Sequence, residues 1–214
     1  FRSIELWETG GDGKAKGRNG WLNDSLNVIE KQRILDGKAI YLDQSGDVFR
    51  GGLDGFYGPN SIGFAAAELE ARDQTVPVPE TFGLLADLMQ GRKQNSEKLK
   101  QIQNKLSGAN RFSSVGRGNL GAQLSKVCNI LSKGVNIPVL KVAIGSFDTH
   151  SEQFWRHRDL LRELDESLYE TVQALQNIGI WNDTVIMTYS EFGRRAAENG
   201  SRGTDHGLSL IHIS

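Results

Sequence analysis

Three short stretches hold residue types that can do chemistry together: Asp148-Thr149-His150, Ser190-Glu191-Phe192-Gly193-Arg194-Arg195 and Gly203-Thr204-Asp205-His206-Gly207. In an extended segment residues i and i+2 face the same way, so Asp148 and His150 can aim at one point. A carboxylate beside a neutral imidazole is a common ligand pair for zinc or a related divalent metal. The other two stretches add carboxylates, an imidazole and guanidinium groups, and their glycines let backbone approach a ligand closely. Each stretch also has a plainer reading. Asp148 or Ser151 can cap a following helix. Glu191 with Arg194 or Arg195 can be a surface ion pair worth about 0–1 kcal/mol. It is the convergence of all three that favours a joint site.

The elements that must position these residues are legible around them. VLKVAIGSF (139–147) reads as a buried strand. Residues 151–178 read as a long helix with Leu161, Leu164, Leu168, Val172, Leu175 and Ile178 on one stripe, and TVIMTYS (184–190) reads as a second strand. Strand, helix, strand is a βαβ unit with parallel strands. In such sheets ligands bind outside the carboxyl ends of the strands, where the three stretches fall. Further upstream, helical patterns span 1–9, 21–31, 79–106 and 119–133. The last carries Leu120, Leu124, Val127, Cys128 and Leu131 on one face. The middle of 79–106, from Gly91 to Ser96, is polar for a helix. Short strands are expected at 38–42 and 61–64, with Gly-rich turns over 10–20 and 50–60.

Other features are set aside. Gly116-Arg117-Gly118-Asn119-Leu120-Gly121 fits the G-x-G-x-x-G pattern, but no convincing strand precedes it and no acidic residue follows at the needed distance. Cys128 lies on an apolar stripe and reads as a small core residue. His157, between Arg156 and Arg158, reads as part of a solvated helix face. The 214 residues carry 25 Lys+Arg against 26 Asp+Glu, a net charge of −1, which gives no electrostatic footprint for nucleic acid. A single Cys excludes an internal disulfide and an all-thiolate metal site. No apolar run is long enough to span a membrane. The final LSLIHIS (208–214) reads as the translation of a transposase-based sequencing adapter, with a native apolar strand as the alternative. Gly207 is then the last native residue, and 1–207 is expected to be a single partial domain lacking sequence on both sides.

GSFDTHSEQ (145–153), TYSEFGRRAAENGS (188–201) and GTDHG (203–207) resemble signature blocks of the domain of unknown function 1501 family, a bacterial family of mostly exported proteins. FRSIELWETG (1–10) and GWLNDSLN (20–27) are similar to its mid-region, more loosely. Ser146 stands where the family usually has a second Gly. The resemblance implies the fold of the alkaline phosphatase and sulfatase superfamily: an α/β protein, here a partial three-layer α/β/α sandwich on a mostly parallel sheet. It implies a divalent metal such as zinc held by Asp148, His150, Glu191, Asp205 and His206. Ser190 and Glu191 stand where the superfamily carries an Asp-His pair, and Glu191 keeps a ligating carboxylate. Arg194 would contact the anionic substrate, since a planar fork suits a tetrahedral oxyanion.

The activity implied is metal-dependent hydrolysis of phosphate or sulfate esters, on a small-molecule or glycan ester, in an exported or periplasmic protein. The nucleophile is expected upstream of this sequence, so the chain by itself is expected to be inactive. The alternative is a non-catalytic exported protein of the same fold that binds a metal or a glycan. A third reading is that the clusters only cap helices and order loops.

Overall fold

The computed structural model describes residues 8–9, 19–30, 34–43, 47–49, 55–58 and 83–207. They form a mixed α/β arrangement of four helices and a small parallel sheet: α1 (Trp21–Glu30), β1 (Ala39–Tyr41), β2 (Phe56–Tyr57), α2 (Gly83–Leu106), α3 (Gly118–Ser132), β3 (Val139–Lys141) and α4 (Gln153–Ile178). The expected strand at 61–64, most of the helix at 1–9 and the terminal 208–214 lie outside the described residues. Among the described residues no helix is long and apolar enough to cross a membrane. The chain divides into two compact units. One takes the described residues between 19 and 109 together with 133–141, and the other takes 8–9, 110–132 and 142–207.

In the first unit the strand order is β2-β1-β3, all parallel, with Ala39 opposite Phe56 and Val139, and Ile40 opposite Tyr57 and Leu140. As the central strand, β1 is the most buried, and Ala39 and Ile40 are fully excluded from solvent. Leu26 of α1 and Val48 and Phe49 pack on Ala39 to make the core. The carbonyl of Gly55 accepts from the N–H groups of both Lys38 (2.7 Å) and Ala39 (3.0 Å). Helix α2 runs unbroken through the polar stretch 91–96. One reason is Asn95, whose Oδ1 accepts the Gly55 N–H at 3.1 Å, so a polar residue there has a structural partner.

In the second unit α3 and α4 pack around Val115, Leu120, Leu124, Cys128 and Ala174. Of the stripe expected on α3, Leu120, Leu124, Val127 and Cys128 are buried and Leu131 is half-buried. On α4 the buried face is shifted, since Ser167, Thr171, Ala174 and Leu175 are buried while Leu161 is exposed. Small residues on that face admit the loop before α3: a Cβ on Gly116 would lie 2.5 Å from the Ser167 Cα, and one on Gly121 would lie 2.6 Å from the Gly116 carbonyl carbon. Helix α4 ends at Gly179, whose φ of 86° permits the closing bonds of its N–H to the Leu175 and Gln176 carbonyls.

The expected βαβ unit is not formed. Only Val139–Lys141 of the first strand joins a ladder. Residues 142–150 continue outside any ladder. Gln123 stands in for a neighbouring strand there, its Oε1 accepting the Ala143 N–H (3.0 Å) and its Nε2 donating to the Ala143 carbonyl (2.7 Å). Residues 184–190 pair with no described strand, and Val185 is 91% exposed. An apolar run reports that its side chains favour cover; it does not supply the partner strand.

Candidate metal centre

The segment 147–150 alternates as its spacing requires. Thr149 is buried, and its Oγ1 lies 2.7 Å from His157 Nε2 of α4. Asp148 and His150 on either side point outward, with side chains 62% and 51% exposed. Neither Asp148 nor Ser151 caps α4. The residue before the helix is Glu152 in a left-handed conformation, with no side-chain cap. The first N–H groups are met instead by a loop: Glu152 donates to the Ser201 carbonyl (3.1 Å) and Gln153 to that of Arg202 (3.0 Å). Gly203 is required for this approach, because a Cβ there would sit 2.5 Å from the carbonyl carbon of His150.

His206 arrives from the other side. An antiparallel bridge joins Arg194 to His206, flanked by Arg195 N–H to Asp205 carbonyl (3.0 Å) and Gly207 N–H to Gly193 carbonyl (2.7 Å). The Phe192 ring stacks on the His206 imidazole at 3.9 Å between centroids. His206 Nε2 thereby donates to Asp148 Oδ1 at 2.8 Å, and His150 Nε2 lies 3.1 Å from the same oxygen. Asp148, His150 and His206 each offer one ligand atom, all within 4.8 Å of one another. Tetrahedral zinc with bonds of 2.0–2.1 Å wants ligand atoms roughly 3.3 Å apart, so the three donor types and their approach are compatible with one such ion. The hydrogen bond from His206 is the main cause that holds the Asp148 carboxyl below its ordinary pKa. Desolvation, next in size, opposes it, and the charges of His206, His150 and Arg194 lower the value further.

The remaining sequence-predicted residues take different places. Asp205 Oδ1 is 3.8 Å from His150 Nδ1, whereas Asp148 meets the ring at Nε2, so Asp205 lies outside the three-residue cluster. Glu191 is half-buried and is not brought into the cluster. Arg194 lies 3.5 Å from Asp148 Oδ1. Its Nη1 donates to the Thr204 carbonyl and its Nη2 to the Phe147 carbonyl at 2.7 Å, so it ties the two ligand-bearing segments together.

Two residues escaped the sequence reading. His157 is not part of a solvated face. It is half-buried against the segment 147–149, with its Nε2 also 3.2 Å from the Phe147 carbonyl, and only a link to Thr149 could have revealed this. Asn199 is the hub of the 199–205 loop. Its Nδ2 donates to the His150 carbonyl (3.0 Å) and to Asp205 Oδ1 (3.2 Å), while its Oδ1 accepts from the Ser201 (2.9 Å) and Gly203 (3.1 Å) N–H groups.

A family model described as "Protein of unknown function (DUF1501)" matches residues 80–212. The chain belongs to this family. The part of DUF1501 matched here contains all three cluster residues together with Asn199, Arg194 and Asp205. No curated protein and no solved structure matches the chain.

Proposed function

We propose that this DUF1501 protein is a divalent-metal site of the alkaline-phosphatase and sulfatase type, an exported hydrolase of phosphate or sulfate esters built on that superfamily's sandwich. The observation that carries the reading is the convergence of Asp148 with His150 and His206 from a segment more than 50 residues away in sequence. Asp148, His150 and His206 hold the metal. Asp205 faces the free nitrogen of His150 and fixes the orientation of its ring, as second carboxylates do at His-bound metals. Arg194 keeps positive charge beside Asp148 while bracing both segments. A bound metal supplies polarisation of the ester oxygen and charge stabilisation. The chain's own groups orient it and leave one side open to solvent.

The non-catalytic alternative, a metal- or glycan-binding protein, is favoured by one feature. Two hydroxyls in the segments that carry the cluster and its brace are engaged elsewhere: Ser190 donates to the Phe192 carbonyl (2.9 Å) and Thr149 is joined to His157. One experiment tests both readings. The protein in its full length is purified, stripped with chelator, reloaded with zinc, assayed for bound metal, and offered aryl phosphate and aryl sulfate esters. Stoichiometric zinc lost in His150→Ala and His206→Ala, with ester turnover, supports the hydrolase. Zinc without turnover supports the binder, and full zinc retention in both variants overturns the metal site.

A further inference from the structure

Beside the cluster an open cleft of about 500 Å³ has Asp148 at its edge and Arg117, Ser146, Arg156, Asp159 and Glu163 along its walls. That volume suits a monosaccharide-sized ligand. The charges in it are unequally committed. Glu163 Oε1 accepts the Leu120 N–H (2.8 Å), Asp159 meets Arg158 (3.2 Å), and Arg117 reaches Glu166 (3.5 Å). Among the described residues Arg156 makes no hydrogen bond or ion pair, and it is exposed to the cleft. Arg194, the guanidinium first expected to meet substrate, is already bonded to two backbone carbonyls and is only 17% exposed.

We propose that Arg156 binds an anionic group on the part of the substrate that is not reacting, so that the preferred substrates are sugar-sized esters carrying a second anion. This inference rests on the hydrolase reading above. Asp148 is shared by the cluster and the cleft, so a ligand with one oxyanion at the metal extends along the cleft wall. Arg156 lines the same cleft as Asp148 and makes no ion pair with it, so its guanidinium is not committed to the cluster. A free planar fork there is suited to a second phosphate, sulfate or carboxylate. The Ser146 hydroxyl and the Asp159 carboxylate offer partners for the scaffold's hydroxyls.

The test uses the protein in its full length, loaded with zinc, and two probes that differ only in the second anion, glucose 1-phosphate and glucose 1,6-bisphosphate. Affinities are read by calorimetric titration, and phosphate release is followed in the same samples. The bisphosphate is expected to bind at least about tenfold tighter, and Arg156→Gln is expected to abolish that ratio. Arg156→Lys should restore part of it, and Arg162→Gln, an exposed neighbour on the same helix, should leave it intact. Equal affinities for the two probes in the unaltered chain overturn the proposal, as does an equal weakening of both in Arg156→Gln. A preference without phosphate release supports the cleft and overturns the hydrolase reading, whereas release without a preference does the reverse.

Discussion

The loop before α3 and the segment 147–150 both gather polar groups against α4, yet they dispose of them in opposite ways. At the first, the N-terminus of α3 presents free N–H groups of the kind that hold phosphate elsewhere. Here carboxylates and a hydroxyl of α4 stand in that place: Glu163 accepts the Leu120 N–H (2.8 Å), and in the loop just before the helix Glu170 accepts that of Gly116 (2.6 Å) and Ser167 that of Arg117 (3.2 Å). At the second, backbone groups are tied down by Asn199, Arg194 and His157, while the side chains of Asp148, His150 and His206 meet at one exposed point. A packing contact uses up its hydrogen-bonding capacity. A candidate ligand site keeps some in reserve on a rigid support.

That contrast can be broken at either end. The largest effect is expected at the exposed cluster. His206→Ala should lower zinc affinity by more than about 100-fold, beyond the loss typical of an outer partner. In chelator its thermal stability should stay within about 0.5 kcal/mol of the unaltered chain. Competition with a zinc-sensitive dye and melting in chelator read the two quantities separately. If His206→Ala melts far lower without metal, the cluster is structural.

At the other end, Gly116→Ala should cost about 2–4 kcal/mol, because the added Cβ meets the Ser167 backbone at a φ of 73°. Zinc affinity of the folded fraction should be unchanged. Denaturant unfolding with and without zinc checks this, and a weakened site in that variant would mean that the two regions are coupled. A smaller effect is expected at Asn199→Ala, about tenfold in zinc affinity, since it removes the brace behind His150 and Asp205 and no ligand. An unchanged affinity would show that Arg194 alone holds the segments together.

The mildest effect concerns the thiol in the α3–α4 core. Burial pushes Cys128 up to about 11 from an ordinary value of 9.0. Its protonated form is therefore favoured by folding, so this contribution is intact below pH 9 and fades as pH rises toward 11. Maleimide labelling of the native chain at pH 8 should be far slower than labelling of the unfolded chain. Equal rates would place Cys128 outside the core.

How much of this was legible in sequence follows from the range of each signal. Helices α3 and α4 are bounded within one or two residues by their apolar spacing and by Gly179, all local features. The pairing of Asp148 with His150 is local too, being a matter of period two. The exposure of Val185 was not legible, because alternation specifies a face and not its neighbour. Nor was the substitution of Gln123 for a strand beside Ala143, a side-chain contact across 20 positions. Asp205 and His206 are adjacent in sequence, so both looked like ligands. The bridge from Arg194 to His206 turns one imidazole toward Asp148 and leaves Asp205 outside the cluster, a distinction that only the hairpin geometry makes.

The contact between Asp148 and His206 spans 58 residues and encloses the whole of α4. Closing a ring of that length carries a loop-closure entropy cost that grows only slowly with its size. An ion shared by the two ends would act as a removable cross-link on that ring. The melting temperature of this unit would then climb with free zinc by simple mass action.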